Sequence, residues 1–361
     1  MCVKSGSLKP CGICKENKIR LDRNENPYGL PPSPKEEIRS LVGDLDLNRF
    51  PEHRNEGLCS LMAATWGVEE TDVIAAAMAT DLALAAFGAA KPGDRALLSG
   101  SGSRWAGILR ALGYDCRFVP FALDGEGFRF ETERFLDALS ALSPRAVVLQ
   151  SPDDPTGVAI PPETLRQLAL LSPGLTLIDE SFVEFSRYDS VLSDSPLPPA
   201  TLVVRSLAHA WGLAGINLIG AVGDPETTRR LRTSPILSAP DSAAAGIASQ
   251  LLSTYGEWME SRVYSIRYLR EAFAQQLSSL PGIRALSGEG NFIPVLTVRS
   301  PEEYESALAA AGVLVAPLAL PDVPGGFRIT IGREGELQAC LSAMKSVAET
   351  GERSRESVIA A

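Results

Sequence analysis

The chain holds only two histidines, His53 and His209, and His209 follows an apolar run over 200–207. An imidazole titrates near neutrality, so His209 suits general acid or base work; the alternative is a ring packed beside Trp211. His53 reads as structural, with a metal held by both histidines as the minority alternative, and no metal is expected. Asp179 lies in a second apolar run, 175–181. It offers a general acid or a buried carboxylate held by backbone amides. Arg328, within Phe327-Arg328-Ile329-Thr330, offers a carboxylate clamp or a structural ion pair. Arg104-Trp105 offers a cationic and aromatic contact, or two solvent-facing side chains. Cys11-Gly12-Ile13-Cys14, with Cys2 upstream, has ligand spacing, yet no second pair follows at zinc-ribbon distance, and these thiols read as incidental to an exposed arm. Cys59, Cys116 and Cys340 sit among apolar neighbours and read as packing.

Positioning such groups requires a frame. Seven short apolar or β-branched runs recur at 73–78, 96–99, 116–121, 145–151, 175–181, 200–207 and 218–223. The gaps leave room for crossover helices, and 131–142 and 162–171 show apolar positions three and four apart. The expected architecture is α/β, a seven-stranded, mostly parallel sheet flanked by helices. After Asp224-Pro225-Glu226 the pattern turns helical. Strand-like runs at 283–299, 313–318 and 326–332 then surround a helix over 301–311, and a last helix is expected near 335–348. The expected organisation is an N-terminal arm (1–33), a large α/β domain (34–225), connecting helices (226–280), a small α+β domain (281–350) and a polar tail (351–361).

Length and composition bound the partners. At ~150 residues per domain, 361 residues make about two domains. Thirty-four basic against 44 acidic residues give a net charge of −10, which excludes a basic footprint for nucleic acid or anionic lipid. No apolar run approaches the ~20 residues that span a bilayer, and the first residues lack the apolar stretch of a signal peptide. A cytoplasmic protein acting on a small molecule is expected.

Several blocks, in order, resemble one family. Leu21-Asp22-Arg23-Asn24-Glu25-Asn26-Pro27 with Gly29 resembles an opening arm, and Asp153-Asp154-Pro155-Thr156-Gly157 resembles an Asn-Pro-Thr-Gly loop. Asp179-Glu180-Ser181-Phe182-Val183-Glu184-Phe185 resembles an Asp-Glu-Ala-Tyr-Val-Glu-Phe strand end. With Gly212-Leu213-Ala214-Gly215 and Phe327-Arg328-Ile329-Thr330-Ile331-Gly332, these are similar to the fold-type I pyridoxal-phosphate enzymes, histidinol-phosphate aminotransferase branch, over about 20–348.

That resemblance implies a Schiff-base lysine just before the Gly-Leu-Ala-Gly turn, where this chain has His209, and no lysine falls between 92 and 344. It implies a phosphate-binding arginine where Asn217 stands and a glycine-rich phosphate loop where Ala77-Met78-Ala79-Thr80-Asp81 stands. It places Phe50 where a tyrosine reaches the neighbouring subunit's phosphate, Ser103 near the ring-stacking aromatic, and Asp154 and Phe182 at the phenolic oxygen. Asp179 matches the pyridinium partner, Thr80 and Ser206 remain as anion donors, and Arg328 matches the substrate-carboxylate clamp, with Asn291, Asn26, Arg104 and Asp154 expected near the substrate. A homodimer is implied, with His53 in the segment that crosses its interface. The leading expectation is a biosynthetic enzyme without a covalently bound cofactor, acting on an amino acid or other carboxylate through His209 in elimination, cyclisation or isomerisation. The alternatives are an enzyme using non-covalently bound pyridoxamine or pyridoxal phosphate, and a non-catalytic protein that binds a metabolite or stabilises a partner.

Overall fold

The computed structural model describes residues 18–46, 48–49, 56–100, 104–125, 127–194, 196–216, 218–318, 320, 323 and 325–359, with residues 56 and 350–359 described by their backbone. Seven strands form the large sheet in the spatial order Val73–Ala76, Ile219–Gly223, Thr201–Ser206, Leu175–Asp179, Ala146–Gln150, Arg95–Ser99 and Asp115–Val119. Ile219–Gly223 pairs antiparallel with both neighbours, and every other pairing in the sheet is parallel. Each strand lies within one or two residues of an apolar run, or is a shorter piece of it.

The runs are continuous because both faces are covered. Leu98, Val148, Leu177 and Val204 pack into a core on one face, while Leu97, Val147, Ile178 and Val203 pack into a larger core on the other. Fully burying such a side chain contributes about 1.5–3 kcal/mol. The helices Ala79–Phe87, Arg104–Ala111, Thr132–Leu142 and Pro162–Leu171 lie between strands in the chain. Gly220 leaves no room for a side chain: a methyl group there would stand 2.0 Å from the Trp66 ring, so Gly220→Ala would push the antiparallel strand off the helix Glu56–Trp66.

Three helices follow, Pro225–Arg232, Ser242–Thr254 and Gly256–Ser278. The first two start where an aspartate accepts from exposed backbone amides, Asp224 from Glu226 and Thr227, and Asp241 from Ala244. At 1.5 Å per residue the third, 23 residues long, reaches about 35 Å. It packs against both Ile283–Ala285 and the large domain's Val183–Phe185 turn.

The second sheet runs Ile19–Leu21, Val313–Pro317, Gly326–Thr330, Phe292–Thr297, Ile283–Ala285. Three features depart from the expectations. The expected strand 283–299 is two strands, and the arm is not separate, since Ile19–Leu21 pairs parallel with Val313–Pro317 as an edge strand. Leu21 is fully buried there, which holds the arm against the sheet. The last helix spans Glu334–Ile359, so the expected polar tail is helical nearly to its end. Among the described residues no helix is long and apolar enough to cross a membrane.

Candidate active site

Three parallel strands end together at Gln150, Asp179 and Ser206, and open parallel sheets bind ligands outside such carboxyl ends. A cavity of about 240 Å³ lies there. The large domain supplies Arg104, Gln150, Asp154, Asp179, Ser181, Phe182 and His209, the small domain supplies Arg328, and the arm supplies Arg23 and Asn24.

His209 sits in the turn after strand Thr201–Ser206. Its ring stacks on Phe182 with centroids 4.2 Å apart, and Nδ1 lies 2.7 Å from the Asn24 carbonyl. A carbonyl only accepts, so Nδ1 carries the hydrogen and Nε2 is the basic nitrogen of the neutral ring. Burial pushes the imidazole below its ordinary pKa; the Asn24 carbonyl opposes this, and the positive charge of Arg104 adds to it. At neutral pH the ring is therefore an oriented, uncharged base.

Asp179 is fully buried, and both its oxygens accept from the protein. Oδ2 takes the Trp105 indole N–H at 2.7 Å and lies 3.8 Å from the Arg104 guanidinium. Oδ1 takes the Ser181 amide at 3.0 Å and the Ser181 hydroxyl. Of the readings open for Asp179, a carboxylate held within the protein fits best. Trp105, itself fully buried, does not face solvent, while Arg104 is half exposed and stacks on the Trp105 ring at 5.2 Å.

Arg328 is engaged as well. Its Nη1 lies 2.6 Å and 2.7 Å from the two oxygens of Asp154, and its Nη2 donates to the Asp22 carbonyl. Asp154 also accepts from the Asn24 amide at 3.2 Å. The structural ion pair thus holds Arg328, with the chain's own Asp154 carboxylate on its guanidinium.

The remaining expected residues lie elsewhere. Asn26 holds the backbone, donating to the Ala210 carbonyl and accepting from the Tyr28 amide. Asn291 is fully buried and donates to the Asn24 carbonyl without lining the cavity. Thr80 is exposed at the start of helix Ala79–Phe87, and the Ser206 hydroxyl accepts from the Ala208 amide. Asn217, Phe50, His53, Ser103, Cys2, Cys11 and Cys14 lie outside the described residues. Among the described residues no three His, Cys, Asp or Glu side chains are grouped to hold a metal.

Four of the lining residues, Arg23, Asn24, Gln150 and Ser181, carried no assignment from the sequence, and two of them matter most. Asn24 links everything: its carbonyl receives His209 and Asn291, its side chain reaches Asp154, and its amide donates to the Thr330 hydroxyl. Its left-handed backbone, φ 53°, is one that asparagine tolerates better than most residues, a signal present in the opening block yet indistinguishable there from Asn26. Gln150 is buried at the end of its strand, and its Oε1 has no hydrogen-bond partner. Its polar type, at the end of the run Ala146-Val147-Val148-Leu149, was the only available sign.

Known proteins agree with this frame. The histidinol-phosphate aminotransferase of Chlorobium phaeobacteroides is 26% identical over 330 residues, covering 91% of this chain and 90% of the relative. That of Thermobifida fusca is 29% identical over 336 residues, covering 89% and 87%. Among solved structures, the histidinol-phosphate aminotransferase of Clostridium acetobutylicum superposes with a TM-score of 0.80 at 17% identity, covering 92% of this chain and 99% of that one. The L-threonine-O-3-phosphate decarboxylase of Porphyromonas gingivalis gives 0.74 at 18%, covering 91% and 99%. At such identities the structures establish the fold alone. The family model for aminotransferase class I and II matches residues 16–344, and the chain belongs to that family.

Proposed function

We propose that this chain is a small-molecule biosynthetic enzyme of aminotransferase ancestry that works without an internal aldimine. It acts on an amino acid or other carboxylate-bearing substrate, with His209 moving the proton and Arg328 anchoring the carboxylate, in an elimination, cyclisation or isomerisation. The observation that carries this is the Nδ1 contact to the Asn24 carbonyl in a ring stacked on Phe182, which fixes the tautomer and leaves Nε2 basic at a cavity lined by guanidinium groups. A cytoplasmic homodimer is the proposed working form.

The residues present do not fit the family's pyridine cofactor. His209 cannot form its Schiff base, and no lysine lies between 92 and 344 to replace it. Both Asp179 oxygens, one of which a pyridinium would need, already accept from the protein, from the Trp105 indole and from Ser181. The helix Ala79–Phe87, whose start would meet a phosphate, carries Asp81 in its first turn, a like charge beside the anion. Non-covalent pyridoxal or pyridoxamine phosphate needs no lysine but meets the same obstacles at Asp179 and at the start of helix Ala79–Phe87.

Proton transfer by His209 is tested by incubating the protein in deuterated water with a panel of carboxylate-bearing metabolites and following carbon-bound deuterium by mass spectrometry. Exchange that His209→Ala abolishes supports the reading; exchange undiminished in that variant, or none in the wild type, overturns it. A second reading, a non-catalytic metabolite binder, draws support from Arg328 and Asp179 being paired within the chain. It predicts binding without exchange.

A further inference from the structure

We infer that Asp154 decides which ligands Arg328 accepts, restricting the cavity to carboxylates that carry their own cationic nitrogen. The inference rests on the reading of Arg328 as a carboxylate anchor. It starts from charge balance. Arg328 and Asp154 form a largely buried pair, with side chains 13% and 28% exposed, and the Asn24 side-chain amide is the carboxylate's other donor. A simple carboxylate arriving at Arg328 must displace Asp154 or share the guanidinium with it. Displacement leaves Asp154 with a neutral amide; sharing sets two anions on one cation. Separating a buried pair so that one charge is stranded is strongly unfavourable.

The other cations cannot take Asp154 over without loss. Arg104 lies 3.8 Å from the buried Asp179, and Arg23 reaches out from the arm, 69% exposed and 3.5 Å from Asp22. A zwitterion solves the exchange. Its carboxylate takes Arg328, its cationic nitrogen takes Asp154, and one ion pair becomes two with no charge left over. The Oε1 of Gln150, buried without a partner in the same cavity wall, is a further acceptor for that nitrogen. The relevant ligands are amino acids and betaine-like molecules, whereas the matching deaminated or 2-oxo acids are rejected.

Calorimetry on the full-length protein tests this with the protein amino acids, glycine betaine, and the acids lacking the α-nitrogen. The wild type is expected to bind at least one zwitterion, and its deaminated acid about tenfold or more weakly. In Asp154→Asn the gap should shrink to less than about threefold, with the deaminated acid binding more tightly than to the wild type, because no internal anion competes. A merely structural Asp154 would lower both affinities together. The wild-type ranking stands without any variant: equal binding of an amino acid and its deaminated acid, or no binding across the panel, overturns the inference. His209→Ala should keep the ranking, so failed proton transfer and failed charge selection are read separately.

Discussion

Replacing Asp153 by Asn should stabilise this protein at neutral and alkaline pH, and the gain should vanish in acid. The Asp153 side chain is fully buried; Oδ2 accepts from the Thr156 amide and hydroxyl, while Oδ1 has no partner. Gly100 makes room for that oxygen, since a methyl group there would stand 2.8 Å from it. Burial pushes the carboxyl up to about 7, against the pull of the Thr156 bonds. An unfolded aspartate titrates near 3.9, so between these values the folded chain binds more protons and stability falls as pH rises. The slope approaches 1.4 kcal/mol per pH unit, and the loss totals about 4 kcal/mol above neutrality. Asparagine has the shape of the protonated acid and no charge to bury. The variant should therefore exceed the wild type by about 1–2 kcal/mol at pH 5 and about 4 kcal/mol at pH 8. Urea unfolding at the two pH values measures this. An advantage that does not grow with pH, or a variant less stable than the wild type at pH 8, would refute the reasoning.

Trp105→Phe removes the indole donor from the buried Asp179 and should cost about 1.5–3 kcal/mol in urea unfolding, and a loss under about 0.5 kcal/mol would mean that Ser181 and Arg104 suffice. Burial holds His209 below its usual value near 6.5, so the unfolded chain takes up more protons and stability falls as pH drops through that value; His209→Gln should flatten this limb of a urea-midpoint profile between pH 7.5 and 5.5. His209→Lys alone should transfer no amino group to 2-oxoglutarate, because Trp105 still holds Asp179 and Asp154 still keeps a 2-oxo acid from Arg328. Glutamate formed above background would count against the poor fit of the pyridine cofactor.

The large sheet was legible because a strand covered on both faces must be apolar throughout, as Val147-Val148-Leu149 and Leu202-Val203-Val204 are. The strand Ile19–Leu21 was not: three residues carry no period, and their partner comes from the far end of the chain. In the site, His209, Asp179, Asp154, Arg104 and Arg328 were read as candidates, and all line one cavity. Their pairings were hidden. Whether Arg328 meets a ligand or Asp154, 174 positions away, depends on how two domains face each other, which no local pattern encodes. Asn24 was overlooked for a related reason, because its importance lies in four contacts with partners 130 to 306 positions distant.

The parallel pairing of Ile19–Leu21 with Val313–Pro317 bears on how the protein is made. The arm leaves the ribosome first, yet its partner strand follows about 300 residues later, some 15 to 60 s at ordinary elongation rates. Throughout that interval Leu21 lacks its final burial, and Asn24 lacks Thr330 and Asn291. The strands that lead to Asp154, Asp179 and His209 are synthesised well before then, while the contacts that place Asn24, and through it the His209 ring, still lack their partners. The cavity is finished only when Ile19–Leu21 and Val313–Pro317 meet, so a translation product truncated before residue 313 would lack Arg328 and the partners that place Asn24.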